Sequence, residues 1–174
     1  ESDETIRASH NKVLRDWWDE YGFGLSVALT DTYGTDFFFR DMTAEQAENW
    51  KGLRQDSGDP FVFGEKAIAF YEKLGIDPKT KIIVFSDGLD VDTIIELHKK
   101  FRGRIKTTFG WGTNLTNDLG LKALSLVVKT VEANGRGLVK LSDNIAKAIG
   151  RPEDIEKFKR IFGYDVTTFE ECKY

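Results

Sequence analysis

The stretch KIIVFSDGLDVDTIIELHKKF, residues 81–101, decides the fold. Lys81 to Phe85 is a short apolar run of strand length, and it reads as a buried strand. It runs directly into a polar, glycine-bearing loop, Ser86 to Asp90, and then into Val91 to Phe101, an amphipathic helix. The same order recurs on either side. Upstream, Trp50 to Leu53 is a brief strand candidate, Arg54 to Pro60 a polar loop, and Phe61 to Leu74 a helix with Pro60 at its start and Gly75 just past its end. Downstream, Ile105 to Phe109 is a strand followed by the loop Gly110 to Thr113. Further upstream, Leu25 to Leu29 is a buried strand, followed by helical turns over Thr35 to Arg40 and Thr43 to Asn49, where Thr43 and Gln46 fit a capping box.

Strand, loop and helix thus repeat about three times, which predicts an α/β chain of parallel strands with helical crossovers. Right-handed units of this kind build either an open doubly wound sheet or part of a barrel, and in both the ligand sits at the C-terminal ends of the strands. Flanking segments add an N-terminal helix, Asp3 to Glu20, and an apolar strand, Leu124 to Val131, turned at Asn134-Gly135 to run back through Leu138 to Leu141. Ser142 and Asp143 are placed to cap a short helix to Ile149, and Pro152 to Phe162 forms the last helix.

Composition narrows the function classes. In 174 residues, 40% are hydrophobic, so a core can form, and a formal net charge of −4 gives no basic footprint for nucleic acid and no polybasic membrane patch. The one cysteine, Cys172, cannot staple a domain, and with His10 and His98 the only histidines no Cys/His zinc site assembles. No apolar run reaches membrane-spanning length and no signal segment opens the chain, so a soluble, cytoplasmic protein is expected, as one domain or part of a larger one.

Three strand-end loops carry the chemistry. In the first, Arg54 can clamp a phosphate or carboxylate through its planar fork, Asp56 and Asp59 can accept ribose hydroxyls or hold magnesium, and Gly58 lets backbone approach a ligand. The same residues also make an ordinary turn and helix cap. In the second, Asp87 suits hydroxyls and Gly88 opens a helix N-terminus to phosphate, although a plain turn capped by Asp90 has the same letters. In the third, Gly110, Gly112 and Thr113 form a plausible backbone cradle for phosphate, with Trp111 between the glycines and Asn114, Thr116, Asn117 and Asp118 close by. Each loop alone is ambiguous. Together they favour a phosphate-bearing, hydroxyl-rich ligand such as a phosphoribosyl group.

The runs GLRQDSGDP (52–60), VFSDGLD (84–90), FGWGTNLTNDLG (109–120) and KTVEANGRGLVKLSDN (129–144), with Ala28 to Thr32, resemble the successive motifs of nicotinate phosphoribosyltransferases, in that family's order from about Leu25 to Tyr164. The resemblance implies that residues 1–174 are a single domain, the C-terminal part of an irregular α/β barrel of the type II phosphoribosyltransferase kind, joined in the family to an N-terminal α+β domain. It implies formation of nicotinate mononucleotide and pyrophosphate from nicotinate and phosphoribosyl pyrophosphate in NAD biosynthesis. Coupled ATP hydrolysis through a phosphohistidine, Mg2+ as cofactor and a homodimer are implied with it.

Residue by residue, the resemblance makes Asp56 and Asp87 catalytic. It sets Arg54, Asp56 and Gly58 toward the phosphoribosyl and base region, Asp87 and Gly88 at ribose and 5′-phosphate, and Gly110, Gly112 and Thr113 around that phosphate. Asp31, Lys140 and Ser142 are further candidates; a lysine like Lys140 at a strand end is also commonly a solvated surface charge. Two departures stand out. The family's phosphohistidine lies in an A-H-E-W stretch that these residues lack, and His10 and His98 read as surface helix residues; Trp111 stands where an aliphatic residue is usual. A nicotinamide or quinolinate transferase, or a non-catalytic piece binding a sugar phosphate, would share the phosphate loops.

Overall fold

The computed structural model describes residues 2–117, 119–121, 124 and 126–170. Asp118 and Cys172, named above, lie outside the described residues. Helix α1, Asp3–Tyr21, is capped by the Ser2 hydroxyl and precedes a four-stranded sheet in which β1 (Val27–Leu29), β2 (Gly52–Gln55), β3 (Ile82–Phe85) and β4 (Lys106–Phe109) are all parallel. Between the strands run α2 (Thr35–Asp41) and α3 (Ala44–Asn49), then α4 (Pro60–Lys73), then α5 (Val91–Phe101). The expected parallel α/β architecture with helical crossovers is therefore present.

Strand order follows chain order, β1-β2-β3-β4, with no reversal. Right-handed crossovers in such a sheet place every connecting helix on the same face, so the doubly wound alternative does not describe this unit. The two-residue period of the strands makes the division visible. Ala28, Leu53 and Ile83 stand in one row across the sheet, and they are buried with Phe85 against Phe38, Ala47, Phe63, Ala67, Tyr71, Leu97 and Phe101 from the helices. The other row, Leu29, Arg54, Val84 and Thr108, faces the opposite side and is half-buried or exposed.

Several boundaries differ from the expectations. Arg54 and Gln55 belong to β2 rather than to the loop, because the ladder continues through Arg54↔Val84 and Gln55↔Phe85. Gln55, fully buried, is tolerated there because its side-chain amide donates to the carbonyls of Ser57 and Gly58 at 3.1 and 3.0 Å. Trp50 instead ends α3, and Gly22–Leu25 is a 3-10 turn that shortens β1. The strand expected over Leu124 to Val131 does not form among its described residues: Leu124, Leu126 and Val128 are 93%, 89% and 85% exposed. Pairing begins only at β5 (Glu132–Ala133) and β6 (Arg136–Gly137), a two-stranded ribbon of two residues each that is mostly exposed, and so short a hairpin is marginal on its own. The short helix after Ser142 and Asp143 is reduced to a 3-10 turn, Ile145–Lys147, capped by Asn144.

His10 is not a surface residue. It is buried on α1, its Nδ1 2.7 Å from Asp41 Oδ2, among the rings of Tyr33, Phe37 and Phe38. His98 is exposed, as expected. A second apolar cluster, Ile6, Phe37, Val139, Leu141, Phe158 and Phe162, ties α1 and α2 to the 139–141 segment and to α6, Pro152–Phe162. Through it, residues 138–149, hereafter the strap, are fastened across the C-terminal end of the sheet. Among the described residues no helix is long and apolar enough to cross a membrane.

Candidate functional site

The register sets the site. Gln55, Phe85 and Phe109 are partners in one row, so the loops after β2, β3 and β4 leave the sheet at the same level. They open on one cavity of about 680 Å³. Arg54, Asp56, Asp87, Gly88, Gly110, Gly112 and Thr113 all line it, with Ser86, Trp111 and Asn114 from the same tips and Lys129, Lys140 and Lys147 from the segment that passes over them.

Charges alternate around the wall. The buried carboxylate of Asp31 meets Lys140 Nζ at 3.0 Å, Lys140 meets Asp56 Oδ2 at 3.3 Å, and Asp56 Oδ1 accepts from Arg54 Nη2 at 3.1 Å. Arg54 Nε donates to Ser86 Oγ at 2.9 Å, and that hydroxyl donates to the Gln55 carbonyl at 2.8 Å. Lys147 pairs with Asp87 and donates to the Asp56 carbonyl at 3.0 Å. Lys140 is therefore not a solvated surface charge but a mostly buried bridge between two carboxylates, held because the strap runs antiparallel between Lys140 and Ile149.

Burial acts on the titration of this wall. It pushes the Asp87 carboxyl above its ordinary range, with Asp56 and Asp31 adding to the rise and Lys147 opposing it. Lys129 is held below the usual lysine range, first by burial and then by the positive charge of Lys140. Both effects belong to a partly dehydrated pocket, where contacts to a charged ligand are stronger than in water.

Gly58 lies apart from the cavity. It sits at φ +73°, beside a second polar hollow of about 390 Å³ bordered by Asp36, Asp59, Lys66 and Asp143. Asp59 caps α4, accepting from Phe61 N at 2.7 Å and Val62 N at 3.1 Å. Asp31 and Ser142 are buried behind the cavity wall, joined by a 3.0 Å hydrogen bond from Ser142 Oγ to Asp31 Oδ2. Asp143 does not cap the turn that follows it; its carboxylate accepts from Thr35 N at 2.7 Å and from the Thr35 hydroxyl, and burial raises its pKa. Glycine at 110 has a packing reason, since a Cβ there would lie 2.9 Å from that of Ser86; at 112 a Cβ would meet nothing within 4 Å. Trp111 is half-buried, packed on the main core with its ring at the cavity.

Sequence reasoning missed Ser86, Lys129 and Lys147 as lining residues. Ser86 stood in plain view at a strand tip. Lys147 carried no local signal, since it reaches Asp87 across 60 positions of sequence.

A parallel α/β unit that gathers carboxylates, lysines, an arginine and glycine backbone at one set of strand tips is of the class that takes anionic, hydroxyl-rich ligands. A sequence profile of the nicotinate phosphoribosyltransferase (NAPRTase) family matches residues 1–166, and the chain belongs to that family. It is similar to the crystal structure of nicotinate phosphoribosyltransferase from Vibrio cholerae, with 41% identity and a TM-score of 0.87 over 91% of this chain. It is also similar to the one from Porphyromonas gingivalis, with 42% identity and a TM-score of 0.83 over 90% of this chain. The matched region spans 40% and 42% of those two chains.

Proposed function

We propose that this chain is the C-terminal part of a nicotinate phosphoribosyltransferase, which joins nicotinate to phosphoribosyl pyrophosphate to give nicotinate mononucleotide and pyrophosphate in NAD biosynthesis. The observation that carries this reading is the meeting of three strand tips and three lysines in one cavity. The reaction is displacement at the anomeric carbon of the sugar. Positive charge grows on the ring while negative charge leaves with pyrophosphate, so a site needs carboxylates at the ribose and cations at the phosphates, and no nucleophilic side chain. Asp56 and Asp87 serve as the carboxylates. Arg54, Lys129, Lys140 and Lys147 serve as the cations. Backbone N–H groups of Gly110, Gly112 and Thr113, with Gly88, cradle the 5′-phosphate. Gly58 acts from behind, shaping the Asp56 turn.

The same reading includes an irregular barrel. It is supported by the sequential parallel order and by the half-exposed row Leu29, Arg54, Val84 and Thr108, a face that a barrel would enclose. A cytoplasmic homodimer is part of it. Mg2+ fits the donor set in a limited way. The described residues gather no cluster of three or more His, Cys, Asp or Glu side chains, but magnesium on a nucleotide or pyrophosphate needs only one or two carboxylates beside phosphate oxygens and water. Asp56 and Asp87 would hold it, and its contribution is to neutralise pyrophosphate charge. ATP is the expected co-substrate. Neither His10, which is paired with Asp41, nor His98 lines the cavity, so the phosphohistidine of ATP coupling is neither of them. The test is turnover of nicotinate, nicotinamide and quinolinate with phosphoribosyl pyrophosphate by the natural protein carrying this chain. Nicotinate should be strongly preferred; preference for either other base, or no turnover of any, contradicts the reading.

A further inference from the structure

Asp31 is a charged side chain that the proposed chemistry does not use. It follows β1, is 1% exposed and does not line the cavity. A buried carboxylate is costly unless its charge is paired and its oxygens are hydrogen-bonded. Here Ser57 Oγ donates to Oδ2 at 2.6 Å, Ser142 Oγ donates to the same oxygen at 3.0 Å, and Oδ1 faces Lys140 Nζ at 3.0 Å. The backbone of the same residue is used too: its carbonyl accepts from Ser142 N at 3.0 Å, and the Thr32 carbonyl accepts from Leu141 N at 2.8 Å.

Ser142 shows how firmly the strap is fastened. It is fully buried at φ +71°, a left-handed conformation that side-chain-bearing residues rarely adopt and that persists only where surroundings over-determine it. Asp31 grips it from two directions, and the Tyr164 hydroxyl donates to its carbonyl at 2.7 Å. The clamp lies two residues from Lys140, so it fixes where the lysine leaves the backbone; Oδ1 draws the ammonium by charge at 3.0 Å without a hydrogen bond, while the ammonium donates to Asp56 Oδ2 at 3.3 Å. Lys140 Nζ sits nearer Asp31 than Asp56, at 3.0 against 3.3 Å, on the pocket side of the buried carboxylate.

We propose that Asp31 is a positioning residue that acts through Lys140: it aims the lysine ammonium into the cavity and keeps it from collapsing fully onto Asp56, so that the lysine meets the anionic part of the ligand. The role in catalysis rests on the phosphoribosyltransferase reading; the aiming of Lys140 does not.

The test is a double-mutant cycle in the natural protein carrying this chain, using Asp31→Asn, Lys140→Met and their combination, with Asp31→Glu as a second variant that keeps the charge but displaces the lysine. Two readouts are taken: KM and kcat for phosphoribosyl pyrophosphate, and the calorimetric Kd for inorganic pyrophosphate. Asp31→Asn and Asp31→Glu should each raise KM and Kd about tenfold, with a smaller change in kcat, and neither should add any further loss once Lys140 is methionine. A purely structural Asp31, acting through Ser57 and Ser142, would add its full loss in the Lys140→Met background, and that result overturns the proposal. Wild-type protein that does not bind pyrophosphate, or variants that bind it unchanged, also overturn it. If turnover is absent but the calorimetric cycle is non-additive as described, the positioning role stands and the transferase reading falls.

Discussion

The two walls of the cavity are built in different ways. One wall is the row of tips after β2, β3 and β4, whose backbone is set by ladder pairs on both sides of β3. The other is the strap, which lacks regular pairing beyond the bridge between Lys140 and Ile149 and is held by its contacts with Asp31, Ser57 and α6. The tips supply carboxylates, an arginine and glycine backbone. The strap and the residues leading to it supply lysines. The tips thus owe their position to local sequence, and the lysines to tertiary packing, so substitutions on the two walls should fail differently.

The largest effect is expected on the tip wall. Asp56→Ala or Asp87→Ala should cut turnover by about 10²- to 10³-fold, the scale of losing one electrostatic group at the reacting centre, while circular dichroism and thermal unfolding show an intact fold. Near-normal turnover in both would dissolve the distinction between a chemical wall and a supporting one.

On the strap wall, Lys147→Met should cost less, about tenfold in kcat/KM, but should change the pH profile. Asp87 stabilises positive charge on the sugar ring only when ionised, and burial already raises its pKa while Lys147 lowers it. Activity should therefore fall as pH drops through a value above the ordinary 3.8 for aspartate, and removing Lys147 should move that acid limb to still higher pH. Asp87→Asn should abolish the limb. A limb that stays in place in Lys147→Met would detach the lysine from Asp87.

The smallest effect on the protein itself is expected at Gly112. A Cβ there meets nothing within 4 Å, and the only cost is backbone strain, since φ −101° with ψ −113° lies between the α and β regions, so Gly112→Ala should lower the melting temperature by only about a few degrees. Its methyl group would instead occupy ligand space, and a severalfold rise in KM for phosphoribosyl pyrophosphate is the expected result. Gly52→Ala provides the contrast within the sheet: its Cβ would lie 2.0 Å from the Ile82 carbonyl oxygen, and folding rather than binding should suffer.

The division between the walls also explains what could be read from the letters. The run from Lys81 to Phe101 announces strand, turn and helix by composition and period alone, and the repeat of that unit on either side predicts the parallel sheet. Asp56, Asp87 and the glycines after Phe109 were legible for the same reason, since a residue just past a strand is on the ligand side whatever the rest of the chain does. The apolar run before Glu132 misled because β propensity without a partner surface does not make a strand. His10 misled because its partner, Asp41, comes from another helix. Lys147 was invisible because no spacing rule joins it to Asp87; only the path of the strap does.

The most direct measurement is a crystal structure of the natural protein with nicotinate mononucleotide bound. The account predicts the phosphate against the backbone of Gly110, Gly112 and Thr113, the ribose hydroxyls at Asp56 and Asp87, and Lys140 released from Asp56 but still anchored to Asp31. A nucleotide bound elsewhere, with the three tips and all three ion pairs of the strap undisturbed, would contradict it.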